Sequence, residues 1–259
     1  MTIFNLLPSW ASEPFKFLGW LLPKGVKWKN SRASPGCAYV PTTIEHVANI
    51  ITHGIWIPPS IYAGTVLIHR SATRLQYFSA VVYGSALVLC FTVSTVFHSI
   101  FYCGHNQQLK DLLHRGDRAM IYVFIAASYF PWVMLRPLPQ DSIAAELWWL
   151  VWVLAAFGIL YQQMFHERYK TLETCFYIFL GSAPSLAVLA HIEHAEFSGI
   201  QELMLGGVLY AVGVCFFKSD GLVPCAHAIW HMFVGAAATV HFYAILHHLY
   251  SAPLPALGD

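Results

Sequence analysis

The chain has 259 residues, 57% hydrophobic and only 10% charged, with a mean hydropathy of +0.55. Ordinary soluble domains carry about 25% charged residues, so this composition excludes a soluble globular protein and describes an integral membrane protein with no room for a separate soluble domain. A net charge of +1 implies no nucleic-acid partner.

Residues 1–40 combine Phe, Trp and Leu with Lys24, Lys27, Lys29 and Arg32 among Pro, Gly and Ser. The first apolar stretch has no basic opening and contains Glu13 and Lys16, which makes a poor signal peptide. The expectation is a cytoplasmic N-terminal arm whose beginning lies on the membrane surface. Seven apolar segments follow, roughly 45–68, 77–102, 112–133, 145–164, 172–191, 200–217 and 225–250, each near the ~20 residues needed to cross the hydrocarbon core. No alternation suggests a barrel, so the spans are expected as helices. Pro184 interrupts the fifth segment and Gly206-Gly207 opens the sixth. The expected fold is therefore all-α: a seven-transmembrane helix bundle over residues 41–250, with a tail at 251–259. Cys37, Cys90, Cys103, Cys175, Cys215 and Cys225 contain no CxxC pair and are expected as small core residues.

Basic residues set the orientation. With seven spans, Lys24, Lys27, Lys29, Arg32, Lys110, Arg115, Arg118, Arg168, Lys170 and Lys218 fall on one side, and only Arg70, Arg74 and Arg136 on the other. The positive-inside rule then makes the N-terminus cytoplasmic and the C-terminus exoplasmic or lumenal.

That topology brings chemistry to one depth. The second span ends with Ser94-Thr95-Val96-Phe97-His98, the third starts with Asp117 in its opening turns, and the seventh starts with His227 and His231, four residues apart on one helix face. Ionisable residues inside a span are costly and persist where they have a partner or a task. Three imidazoles with one open position form the usual catalytic zinc arrangement, whereas four filled protein positions make a structural site. Asp117 decides between them. Beside a zinc-held water it can orient the water and take its proton, with Ser94 as helper; as a direct ligand it completes a clamp on three helices. The nitrogen-rich, thiolate-free set favours zinc, while copper and iron remain compatible in ligand type.

Other polar residues carry plainer expectations. Glu45, Asn49 and His53 at four-residue spacing, with His46 and Thr52, form a polar stripe on the first span that could shuttle protons or touch a ligand and is better suited to interhelical hydrogen bonding. His114 could be a spare ligand, but its place beside Arg115 suits an interfacial residue. His241, ten residues beyond His231, is too far along the helix to share its metal. His247 and His248 cap a helix end, and His105, His166, His191 and His194 fall in loops. Trp148, Trp149 and Trp152 are expected at the lipid surface, and Gly206, Gly207 and Gly213 at close helix approaches.

The set Ser94-xxx-His98, Asp117 and His227-xxx-His231 on seven spans resembles the progestin and adipoQ receptor (PAQR) family, also called the hemolysin III family. The stretches 117–122, 124–129 and 216–231 carry the same resemblance, which runs from about Tyr39 to Tyr250. It implies a cytoplasmic-side zinc site with His98, His227 and His231 as ligands and Asp117 and Ser94 as the water-side pair. It also implies kinship with membrane hydrolases that include the alkaline ceramidases, so a ceramide-like lipid or a phospholipid is the candidate ligand or substrate. One branch of the family is associated instead with Golgi and late endosomal or lysosomal membranes and with Ras–ERK signalling; the N-terminal arm departs from that branch. Two functions stay open: a zinc-dependent, ceramidase-like lipid hydrolase, and a non-enzymatic receptor or scaffold in which zinc is structural and cytoplasmic loops recruit signalling proteins. A pore is not expected, because the polar residues gather at one depth.

Overall fold

The computed structural model describes residues 25–136, 141–189 and 199–250. Among these residues there is no strand. The chain forms helices α1 (Thr43–Gly54), α2 (Ile57–Arg70), α3 (Arg74–Cys103), α4 (Gln107–Leu135), α5 (Leu147–Met164), α6 (Lys170–Leu189), α7 (Ile200–Phe217) and α8 (Ala226–Leu249), with a 3-10 turn at Ile143–Glu146 before α5. Local chemistry sets the starts. Thr42 and Glu45 form a capping box on α1, Thr73 and Gln76 another on α3, and the Asn106 side chain accepts the Leu109 N–H at the start of α4.

The expected first span is broken into two helices. Pro58 and Pro59 open α2; they have no N–H to donate, and their rings crowd the carbonyls four residues earlier, so a helix running from Thr43 cannot continue through them. The two pieces have 12 and 14 residues, each about 18–21 Å long against a hydrocarbon core of about 30 Å. The other six segments are continuous helices long and apolar enough to cross a membrane. Pro131 and Pro184 remain inside α4 and α6.

Helices α1 and α2 both pack on α3, and α1 also reaches α8. Tyr83, Leu87, Phe91 and Phe124 join Val234, Ala238 and Ile245 in one core; Tyr122, Ala126, Val151, Ala155 and Leu180 form a second between α4, α5 and α6. Helices α2 and α3 cross where Gly64 meets Gly84: a Cβ on Gly84 would stand 2.9 Å from the Gly64 Cα, so the small residues set the crossing distance. Outward faces carry Phe157, Leu160, Met164, Ile178, Phe179, Met204, Val208 and Tyr243, a belt suited to hydrocarbon. Trp148 and Trp149 are exposed at the start of α5, as expected of anchors, while Trp152 packs inward against Phe130. Of the cysteines only Cys90 is buried; four are exposed and Cys225 is half-buried, contrary to the expectation of core residues, because the others lie on outward helix faces or in connections.

Basic residues collect at one end of the bundle and tie its loops together. Lys29 Nζ donates to the Gly221 carbonyl (3.1 Å), Arg32 Nη2 to Lys218 (3.4 Å), Lys170 Nζ to Cys37 and Lys218 Nζ to Lys170 (3.4 Å). Residues 25–42 thus lie across this end, and Tyr39 donates to Glu45 Oε2 at 2.8 Å. Burial, reinforced by the Glu45 carboxylate, pushes the Tyr39 phenol well above its ordinary value. The outer part of the expected arm (1–24), the 251–259 tail and the histidines His191 and His194 lie outside the described residues.

Candidate metal centre

The basic end also holds the histidines. His98 lies in the penultimate turn of α3, and His227 and His231 in the first two turns of α8. The chain enters α8 through Val223-Pro224 and Cys225, whose left-handed backbone (φ 53°) turns the loop into the helix. The consequence is a convergence of two helix ends. One nitrogen from each of His98, His227 and His231 lies within 4.8 Å of the others, and the rings meet edge to face, with centroids 5.2 Å (His98–His227), 5.1 Å (His98–His231) and 4.6 Å (His227–His231) apart.

The surroundings of these rings decide whether they fit a metal. Both nitrogens of His98 are buried with no hydrogen-bond partner among the described residues. Such orphaned groups are expensive in a dry interior unless something binds them. His231 is oriented from outside the cluster. Its Nδ1 is 3.1 Å from Thr52 Oγ1, and the Thr52 hydroxyl already donates to its own Ala48 carbonyl at 2.7 Å. Nδ1 must therefore carry the proton and donate to Thr52, which leaves the Nε2 lone pair for a metal. His227 Nδ1 lies 3.7 Å from Asp220 Oδ2, which biases that ring in the same sense. Thr52→Val should weaken metal affinity by about 10- to 100-fold, as loss of such outer partners generally does, and Thr52→Ser should restore it; competition against a chelator measures both.

Asp117 stands outside the three-nitrogen group, beside Ser94 and His227 on the cavity wall. Ser94 Oγ approaches the Asp117 carboxylate without closing a hydrogen bond of ordinary geometry. The neighbouring arginines turn elsewhere: Arg115 Nη1 donates to the Gln163 carbonyl at 2.7 Å, and Arg118 contacts Glu167 (2.6 Å) and Glu173 (2.8 Å). All five residues singled out in the sequence thus face one cavity of about 1270 Å³ whose walls are mostly apolar.

Two neighbours come from the polar stripe on the first segment, which was expected to hydrogen-bond between helices. Thr52 does so with His231, whereas His53 stacks on His231, with ring centroids 3.5 Å apart and planes at 22°, and neither of its nitrogens has a partner among the described residues. Glu45 serves the capping box and Tyr39. The signal for His53 was the four-residue polar spacing, and for Thr52 its place beside that stripe.

His114, His166 and Glu167 make a second group with ligand atoms within 4.8 Å of one another. Its atoms are already engaged. Gln162 Nε2 is 2.9 Å from His166 Nδ1, and His166 Nε2 is 3.3 Å from His114 Nδ1. Glu167 sits between Arg118 and Lys170, so an entering cation would meet two positive charges. Burial, with the nearby Arg118, lowers the His166 pKa to about 4, keeping that ring neutral at ordinary pH. The first group is the better metal candidate.

The family described as Haemolysin-III related matches residues 42–242. Monocyte to macrophage differentiation factor of Homo sapiens is 44% identical over 229 residues, covering 88% of this chain and 94% of that protein, and the Mus musculus protein matches equally. The hemolysin-3 homolog of Bacillus subtilis (strain 168) is 34% identical over 215 residues, 82% of this chain and 98% of the homolog.

Proposed function

We propose, from the premise that this chain belongs to the haemolysin-III-related (PAQR) family of multi-pass membrane proteins, that it is a zinc-dependent hydrolase of an amide or ester bond in a ceramide-like membrane lipid or phospholipid. The observation that carries this reading is the cavity. Three imidazoles converge on it, Asp117 stands beside the group and not in it, and apolar walls run on from the site. A zinc that only clamps helices has no use for such a chamber.

His98, His227 and His231 would hold the ion, which when bound supplies Lewis acidity to the scissile carbonyl. The chain's own groups do the rest. Asp117 accepts a proton from the attacking water as its oxygen bonds to the carbonyl carbon, then returns it to the amine or alkoxide as the old bond breaks. The Ser94 hydroxyl donates to the negative charge that develops on the carbonyl oxygen. Helices α6 and α7 touch little, and both line the cavity through Gly181, Leu186, Met204 and Gly207, so a lipid tail has a route in from the side.

The orientation follows from the basic end: Lys29, Arg32, Lys170 and Lys218 would face the cytoplasm, α1 and α2 together would make a kinked first crossing, and α8 would end on the exoplasmic or lumenal side. Golgi or late endosomal and lysosomal membranes, with a signalling output, are the setting that the family resemblance suggests. The second reading is a receptor or scaffold in which zinc is structural and the cytoplasmic loops recruit Ras–ERK-type partners; the buried ion pairs of Arg118, which tie α4 to the α5–α6 connection and to α6, favour it to that extent.

The test is purified, zinc-loaded protein presented with ceramides and phospholipids. Asp117→Asn should retain its metal and lose about 10²- to 10⁴-fold in turnover. Loss of metal in that variant would make Asp117 part of a clamp, and no cleavage of any lipid by the unaltered protein would remove the enzymatic reading.

A further inference from the structure

The cavity has a second polar pole. His241 lies ten residues beyond His231 on α8, about 15 Å further along the helix axis, and together with Tyr210 of α7 it lines the same cavity as the metal centre. The two rings meet edge to face, with centroids 5.6 Å apart. Gly206 makes the room: a Cβ there would come within 2.2 Å of the His241 ring. The placement is costly. The Tyr210 hydroxyl and both His241 nitrogens are buried with no hydrogen-bond partner among the described residues, in a part of the molecule surrounded by apolar side chains. Polar groups in such a place are normally satisfied, and an intramembrane ionisable residue is by default a functional one.

The chemistry of the pair is specific. A neutral imidazole carries one N–H and one lone pair, so His241 offers both a donor and an acceptor. Tyr210 presents an O–H. The two neighbouring rings together supply a donor and an acceptor, which is the complement of a hydroxyl group, since a hydroxyl both donates and accepts. A plain methylene chain would leave both unpaired.

We propose that Tyr210 and His241 form a binding subsite for a hydroxyl carried on the apolar part of the bound lipid, about 15 Å from the group held at the three imidazoles. This rests on the reading that the cavity takes a lipid, and it narrows the ligand class to long-chain lipids hydroxylated part-way along the chain. Oleate and ricinoleate probe it directly, because they differ by one mid-chain hydroxyl at roughly that distance from the carboxylate. Displacement of a fluorescent fatty acid from the full-length, zinc-loaded protein reads the affinities. The unaltered protein should bind ricinoleate about tenfold more tightly than oleate, the worth of one well-made buried hydrogen bond. Tyr210→Phe and His241→Gln should each erode that preference, read as the ratio of the two affinities within each variant. Equal binding of the two acids by the unaltered protein, or a preference that survives Tyr210→Phe, overturns the subsite alone. If neither acid binds, the lipid reading of the cavity falls and takes the subsite with it.

Discussion

His98→Ala should abolish stoichiometric metal binding. The purified protein is expected to carry about one ion per chain and the variant only background. His98 is the only one of the three imidazoles contributed by α3; the other two sit a turn apart on α8. Without it, two imidazoles on one helix remain and the group of three converging nitrogens is gone. The loss should also appear in stability. A ligand that binds only the folded state at a thousandfold excess over its Kd adds about 4 kcal/mol, so zinc should raise the thermal midpoint of the unaltered protein and leave that of His98→Ala unmoved. A variant that still binds one ion tightly would place the metal elsewhere, with the His114–His166–Glu167 group as the first alternative.

Arg118→Met should be the most damaging change outside the histidines. Arg118 is almost enclosed and contacts two carboxylates, Glu167 at 2.6 Å and Glu173 at 2.8 Å, whose own side chains are 9% and 4% exposed. Tyr177 adds a donor to Glu173 at 2.6 Å. Removing the guanidinium strands one buried carboxylate with Lys170 as its remaining cation and the other with a phenol. Breaking a buried pair from one side typically costs about 3–5 kcal/mol, because the abandoned charge stays buried. The double variant Arg118→Met with Glu173→Gln should recover part of the loss, since it removes the charge that the first change leaves unpaired. Denaturant titration in a mild detergent measures both, and a loss below about 1 kcal/mol would mean that the network is solvated in practice.

Much of the architecture was legible because lipid narrows the choices. Long apolar runs have to be helices, and the expected segments 200–217 and 225–250 differ from α7 and α8 by no more than a residue at either end. The convergence of three histidines was legible for a related reason: four-residue spacing fixes a face, alternating topology fixes a depth, and together they brought His98 to His227 and His231. The first span shows where hydropathy fails. Its apolar content runs unbroken through Pro58-Pro59, and hydropathy does not register that proline lacks an N–H. Thr52 and His53 were visible as a polar stripe, but their target depended on how α1 leans against α8, a matter of packing that no periodicity encodes. The union of His114, His166 and Glu167 was the least legible. It joins residues about fifty positions apart through a loop, and Glu167 sits there with a left-handed backbone (φ 64°) that glutamate rarely adopts.

X-ray absorption at the zinc edge, on purified full-length protein, tests the central claim most directly. Three imidazole nitrogens at about 2.0–2.1 Å, with the outer-shell scattering of histidine rings, are the predicted result. A folded protein that takes up no metal, or a spectrum dominated by sulfur at about 2.3 Å, would contradict it.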